Sequence, residues 1–101
     1  MKERILNYLR NIPPGYVATY GDIALYLGNI NLSRFVGNVL HNNPDGDYYP
    51  CYKVVNRNGN LSPNYAFGGI DEQKRRLEQE SIKVVSYKVD LKKYRYTYKI
   101  C

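Results

Sequence analysis

Thr19-Tyr20-Gly21-Asp22-Ile23-Ala24-Leu25-Tyr26-Leu27-Gly28 and Asn31-Leu32-Ser33-Arg34-Phe35-Val36-Gly37-Asn38-Val39-Leu40-His41 are the two runs whose spacing decides the fold class. In the first, Thr19 stands where an N-cap belongs and Asp22 follows three residues on, the pattern of a capping box. Ile23, Ala24 and Leu27 then fall on one helical face, and Gly28-Asn29 closes the run. In the second, Asn31 or Ser33 opens a helix through about His41, with Phe35, Val36, Val39 and Leu40 predicted as its core face. Two short helices joined by a tight turn at Gly28 make a helix-turn-helix outline. Ser33, Gly37 and Asn38 keep the second helix slim, and Arg34 projects from its first turn. That surface suits a nucleic-acid groove. Spacing alone leaves Gly37 equally able to relieve helix–helix packing.

Outward from this pair, residues 2–12 read as an amphipathic helix on Ile5, Tyr8, Leu9 and Ile12, stopped by Pro13-Pro14-Gly15. Downstream, the turn-formers Asn42-Asn43-Pro44-Asp45-Gly46-Asp47 precede Pro50-Cys51-Tyr52-Lys53-Val54-Val55, which reads as a short extended piece. A proline before a cysteine fixes φ and removes a donor, which suits a thiol held in one direction. The alternative is a small buried hydrophobe. Residues 56–64 read as a hairpin or wing with Arg57 at its tip, and 65–69 as a loop. A fourth helix is expected from about Asp71 to Glu80, its Lys74-Arg75-Arg76 run forming a solvated face. Residues 83–100 read as two short strands or extended tails, with Tyr94, Tyr96, Tyr98 and Ile100 alternating with Lys93, Arg95, Thr97 and Lys99.

The 101 residues hold 15 Lys and Arg against 9 Asp and Glu, a net charge of +6 that favours an anionic partner. Two cysteines, Cys51 and Cys101, are too few for a disulfide framework. Both read as reduced thiols of a cytosolic protein, although one bridge between them is conceivable. With His41 the single histidine, metal-ligand spacing is absent. No apolar run reaches membrane-spanning length and no signal region opens the chain. The expected fold is mainly α, a winged-helix-like helix-turn-helix domain with a small β wing and short C-terminal strands, one domain over 1–101.

Taken in order, these motifs resemble one family, the O6-alkylguanine-DNA alkyltransferases and their alkyltransferase-like relatives. Pro50-Cys51-Tyr52-Lys53-Val54 stands where the family has Pro-Cys-His-Arg-Val. Thr19-Tyr20-Gly21, Ser33 to Gly37 and Asn43-Pro44 precede it at the family's spacing. Asn58-Gly59, Asn64-Tyr65, Gly68-Gly69 and Leu77 to Glu80 follow. The resemblance covers roughly Ile5 to Tyr96 and lacks the family's N-terminal domain.

It implies a helix-turn-helix in the minor groove, with the damaged guanine flipped into a pocket. Cys51 is then the alkyl acceptor, Asn43 holds the backbone of the cysteine turn, and Glu80 ends a proton relay through Tyr52. Arg34 fills the gap left in the base stack and Tyr20 rotates the target phosphate, with Ser33, Gly37 and Asn38 on the same helix surface. Tyr65, Ala66 and the Val54 carbonyl line the base. No cofactor is implied.

Chemistry supports these residue types. A thiolate must form, and guanine O6 must gain a proton or hydrogen bond as it leaves. An atom inside a duplex is reached only by flipping its base. Tyr52 departs from the family's histidine. Its reference pKa is about 10 against about 6.5, so it is a poor base that still passes protons. Lys53 keeps the arginine's charge and loses its fork.

The expected function is direct damage reversal, a single-turnover methyl transfer from O6-alkylguanine in double-stranded DNA to Cys51. A monomer acts, without a membrane, with other repair proteins as further partners. The alternative is a sensor that flips the damaged base without transfer. A plain DNA-binding domain with an inert cysteine is the third reading.

Overall fold

In the computed structural model, which describes residues 1–63 and 65–96, five α-helices surround two two-stranded sheets. Helix α1 (Lys2–Asn11) buries Ile5, Leu6, Tyr8 and Leu9. Strand β1 (Ala18–Thr19) leads directly into α2 (Tyr20–Tyr26). A single 3₁₀ turn, Ile30–Leu32, then precedes α3 (Ser33–His41). The Thr19 capping box forms as expected: its hydroxyl accepts from the Asp22 N–H at 3.0 Å, and the Asp22 carboxylate accepts from the Thr19 N–H at 3.0 Å. Each bond satisfies a donor that the start of a helix leaves orphaned.

Strand β2 (Val54–Val55) pairs in parallel with β1, Ala18 opposite Val54 and Thr19 opposite Val55. This pairing carries the cysteine turn to the N-terminus of α2. Helix α4 (Gly69–Gln79) packs behind that turn, and β3 (Val84–Val85) and β4 (Lys88–Val89) form an antiparallel hairpin. Helix α5 (Leu91–Tyr94) follows, its N-terminus capped by Asp90. One buried cluster joins α1, α2 and α3 to Cys51, Val54 and Tyr65. A second joins Val17, Val55, Leu77 and Ile82 to the hairpin and Tyr94. Among the described residues no helix is long and apolar enough to cross a membrane.

Four expectations are corrected. Phe35 is 40% exposed, not core, because Val36, Val39 and Leu40 already fill the inward face of α3. Cys51 opens a 3₁₀ turn, Cys51–Lys53, and the extended piece begins only at Val54. Residues 56–63 form no two strands of their own: the segment closes as a tight turn, the Asn56 N–H donating to the Asn60 carbonyl at 3.1 Å and the Gly59 N–H to the Asn56 carbonyl at 2.9 Å. The Asn56 side chain also accepts from the N–H groups of Asn58 and Asn60, and Asn60 bridges to Lys88. Gly59 sits where a Cβ would lie 2.2 Å from the Val89 carbonyl oxygen, so a glycine lets the two segments close.

Finally, Tyr94 lies in α5, not on an alternating strand, because the Asp90 cap starts a helix there. The hairpin before it turns through Ser86 and Tyr87, both at positive φ. Expectations for Thr97, Tyr98, Lys99, Ile100, Cys101 and Asn64 lie outside the described residues. Cys51 is a free thiol.

Candidate active site

Pro50, at φ −74° and ψ 72°, is the centre of an inverse γ-turn in which the Cys51 N–H donates to the Tyr49 carbonyl at 2.7 Å. Its ring presets that φ. The turn is held from behind by Asn43, which is buried. The Asn43 amide donates to the Tyr49 carbonyl at 2.8 Å, and its oxygen accepts from the Asp45 N–H at 3.1 Å. A second loop closes over the first: Phe67 lies against Gly46, where a Cβ would come within 2.8 Å of the ring.

Cys51 lines a pocket of about 190 Å³ with Tyr20, Gly37, Val54, Tyr65 and Ala66. The space is smaller than the roughly 300–1,000 Å³ typical of drug-sized ligand sites. Gly37 faces this opening, and an added Cβ there would meet nothing within 4 Å, so helix packing does not require a glycine. Ser33 lies partly buried at the start of α3, while Arg34 and Asn38 are exposed on it, outside the pocket. The Tyr65 hydroxyl is buried and has no hydrogen-bond partner among the described residues. Burial, with the neighbouring Cys51, pushes its phenol up to about 12, so it remains a neutral donor. Burial likewise pushes the Tyr20 phenol up, with a hydrogen bond to Ser62 working the other way.

Burial also pushes the Cys51 thiol up, although the Asn43 hydrogen bond favours the thiolate. Beneath the pocket Tyr52 donates its phenol proton to Glu80. The other Glu80 oxygen accepts from Lys53 Nζ at 2.9 Å and the Gly15 N–H at 3.1 Å. Burial raises the Glu80 carboxyl, but the bonds from Tyr52, Lys53 and Gly15 outweigh it and hold the carboxyl below its ordinary value. Tyr52 is pushed well above the ordinary phenol value, by burial and then by its carboxylate partner. Lys53 is 2% exposed and spends its remaining protons on the carbonyls of Ile12, at 3.1 Å, and Pro13, at 2.7 Å. A buried ammonium is tolerated because all three N–H bonds are met.

Two parts of this site were not anticipated. Gln73 is 1% exposed on the inner face of α4. Its amide donates to the carbonyls of Tyr52, at 3.0 Å, and Val54, at 3.2 Å, and its oxygen accepts from the Ser62 N–H at 2.8 Å. The signal was a polar residue four positions before Leu77, on the buried face. Arg76, expected on a solvated face, instead bonds Glu72 at 2.9 Å and Asp47 at 3.0 Å and lies over the Tyr52 ring. Among the described residues no group of three or more His, Cys, Asp or Glu side chains could hold a metal ion.

Residues 1–82 match the family model described as 6-O-methylguanine DNA methyltransferase, DNA binding domain. The chain belongs to this family. Within it, the chain is 41% identical to a bifunctional methyltransferase/endonuclease of Picrophilus torridus, over 91% of this chain and 30% of that protein. The chain thus spans less than a third of that relative's length. It is 39% identical to the DNA base-flipping protein of Escherichia coli, over 95% of this chain and 74% of the relative. Among solved structures it is similar to Schizosaccharomyces pombe Atl1 in complex with damaged DNA containing O6-carboxymethylguanine. That likeness has a TM-score of 0.86 at 29% identity, covering 96% of this chain and 94% of Atl1. The family thus includes relatives named for methyl transfer and for base flipping.

Proposed function

We propose that this family member binds double-stranded DNA carrying O6-alkylguanine, takes the flipped base into the Cys51 pocket and transfers its alkyl group once, to the Cys51 sulfur. The observation that carries this is the Tyr65 hydroxyl, buried without a hydrogen-bond partner among the described residues, on a side chain that lines the same pocket as the thiol. A buried hydroxyl without a partner costs free energy until a ligand atom meets it. Guanine O6 is such an atom, and it gains electron density as its alkyl carbon moves to sulfur. Tyr65 donates to O6. The S–C bond forms as the O6–C bond breaks; the proton lost by Cys51 passes to the Tyr52–Glu80 pair, and the guanine anion, held at O6 by the Tyr65 hydroxyl, takes an equivalent proton from solvent at N1.

In this reading α2 and α3 act as a winged-helix reader, with residues 56–61 and the β3–β4 hairpin as the wing. Tyr20, Ser33, Arg34, Gly37 and Asn38 are the DNA-facing residues, and Val54 and Ala66 flank the base. Every group invoked belongs to one chain, so the acting unit is a monomer.

A second reading, damage sensing without transfer, is favoured by a specific observation. The thiol is pushed up by burial, and the tyrosine in the histidine position already gives its proton to Glu80. Incubation with excess O6-methylguanine duplex, followed by mass spectrometry, decides between the two. Transfer gives one methyl group on the Cys51 peptide and a plateau at one equivalent. Tight binding with no mass gain establishes the sensor, and turnover beyond one equivalent excludes both.

A further inference from the structure

Charge is unevenly placed in this chain. Residues 19–41, which hold the helix pair, contain one acid, Asp22, and one base, Arg34. Residues 83–99 contain six of the fifteen basic side chains and one of the nine acids. Asp22, Asp47, Glu72 and Glu80 are taken up in ion pairs, as is Arg95. Lys83, Lys88, Lys92 and Lys93 are exposed and form no ion pair among the described residues. The acid beside them, Asp90, is occupied in capping α5.

Three of these lysines share one surface. Lys83, Lys88 and Lys93 line a groove of about 590 Å³ together with Val85, Val89, Tyr94 and one acid, Asp90. This groove adjoins the cysteine pocket through the backbone. Asn60 bridges to Lys88 and the Leu61 N–H donates to the Tyr87 carbonyl at 2.9 Å, while Ser62 lines the pocket itself. From Asn60 to Ser62 is at most about 7 Å, a length over which duplex DNA carries about four charges.

We propose that the β3–β4 hairpin and α5 form a second DNA contact, in which Lys83, Lys88 and Lys93 neutralise phosphates beside the nucleotide that enters the pocket. This rests on the DNA-binding reading above and adds to it a division of labour. The helix pair offers one base, Arg34, and so supplies little of the counterion release that dominates non-specific affinity. The lysine face can. Phosphate contacts fix position without reading sequence. Lysine, a point charge on a flexible stem, suits that task better than recognition of a planar base edge.

The test titrates undamaged and O6-methylguanine duplexes over a series of salt concentrations. The parent is compared with a triple variant, Lys83→Gln, Lys88→Gln, Lys93→Gln, and with a control that removes equal charge from α1, Lys2→Gln, Arg4→Gln, Arg10→Gln. In the hairpin variant the slope of log affinity against log salt should flatten by about 2–3, near 0.9 for each phosphate left without its lysine. Both duplexes should weaken by the same factor, and the control should keep the parental slope. Equal slopes in the two triple variants overturn the proposal. So does a hairpin variant that binds DNA like the parent but loses binding to a glutamate–tyrosine copolymer, which would assign the groove to an acidic polypeptide. A parent that binds no duplex sinks the DNA reading itself, whereas a binding parent with an unchanged hairpin variant sinks only the surface assigned here.

Discussion

The helix pair α2–α3 and the cysteine turn at Cys51–Lys53 lie against one core but are held in different ways. The start of α2 carries a cap made within four residues, the reciprocal bonds of Thr19 and Asp22, to which the Arg95 ion pair and the β1–β2 pairing add from a distance. The cysteine turn takes its support from far along the chain: Lys53 from Ile12, Pro13 and Glu80, and Tyr52 and Val54 from Gln73. The helix pair can therefore be substituted on its exposed face with little effect on folding. At the turn, chemistry and stability depend on the same side chains.

The sharpest break between the two regions is Cys51→Ala. It should abolish methyl gain completely yet leave binding to damaged duplex intact, because the helix pair and pocket walls remain; loss of binding in a folded variant would contradict the separation. In the parent, the single-turnover rate should climb as pH rises across neutrality, since burial pushes the thiol up and its reactive thiolate grows with pH. A rate independent of pH between about 6 and 9 would mean that the thiolate is already formed.

Next in size is Tyr52. Tyr52→Phe removes the phenol that reaches Glu80 and should slow transfer about a hundredfold, the low end of acid–base contributions. Tyr52→His, with its better-matched base, should speed transfer near neutral pH. Equal rates for Tyr52→Phe and the parent, measured in single-turnover quench experiments, would leave Tyr52 a packing residue.

Glu80→Gln should cost about 2 kcal/mol of stability by leaving the Lys53 ammonium uncompensated. That is less than for a wholly buried pair, since the Glu80 side chain is 18% exposed. Folding holds the Glu80 carboxyl below its unfolded value of about 4.3. Its contribution is therefore complete above that pH and is lost as pH falls through the folded value. Denaturant titrations from about pH 7 to about pH 3 should show this acid limb in the parent and a shallower one in Glu80→Gln.

The smallest effects fall on the helix pair. Thr19→Ala should cost about 1 kcal/mol through the lost cap, visible as a lower melting temperature. Arg34→Ala should leave the melting temperature unchanged and reduce only the preference for damaged over intact duplex. An unchanged preference would remove Arg34 from any role in holding the base stack.

This contrast also explains what a single sequence could reveal. The cap, the helix pair, and the meeting of Cys51 with Val54, Tyr65 and Ala66 rest on short-range pattern or on an ordered set of motifs, and they were legible; Tyr20, expected at a phosphate, lines the same pocket. Phe35 was misplaced because a helix of nine residues has room inward for only three large apolar side chains beside Gly37. Residues 56–60 do close on themselves, Asn56 N–H to the Asn60 carbonyl, but the segment that Asn60 bridges to, at Lys88, lies far along the chain and left no local signal. Gln73 was missed because its partners are backbone groups that only the assembled fold brings near; for Arg76 that holds of Asp47 and the Tyr52 ring, whereas Glu72, four residues before it on α4, was a local partner open to reading. Tyr94 read as strand by alternation, but the Asp90 side chain, bonded to the Lys92 N–H at 3.0 Å, outweighed that local pattern and began a helix.

The cap of α2 has one more bond, and it sets a schedule. Asp22 pairs with Arg95, 73 residues later, while the N–H of Val17 donates to Tyr94 and its carbonyl accepts from Tyr96. The segment from Tyr94 to Tyr96 thus buckles onto β1 and the start of α2. At about 5–20 residues per second of synthesis, Arg95 is made roughly 4–15 s after Asp22. A nascent chain halted before that point exposes the first helix of the pair with its acid unpaired and β1 without its last neighbour. The start of α2 therefore gains its last long-range partners only once Arg95 and Tyr96 have been made, and deleting the segment from Tyr94 to Tyr96 would leave the start of α2 as the first place to fray.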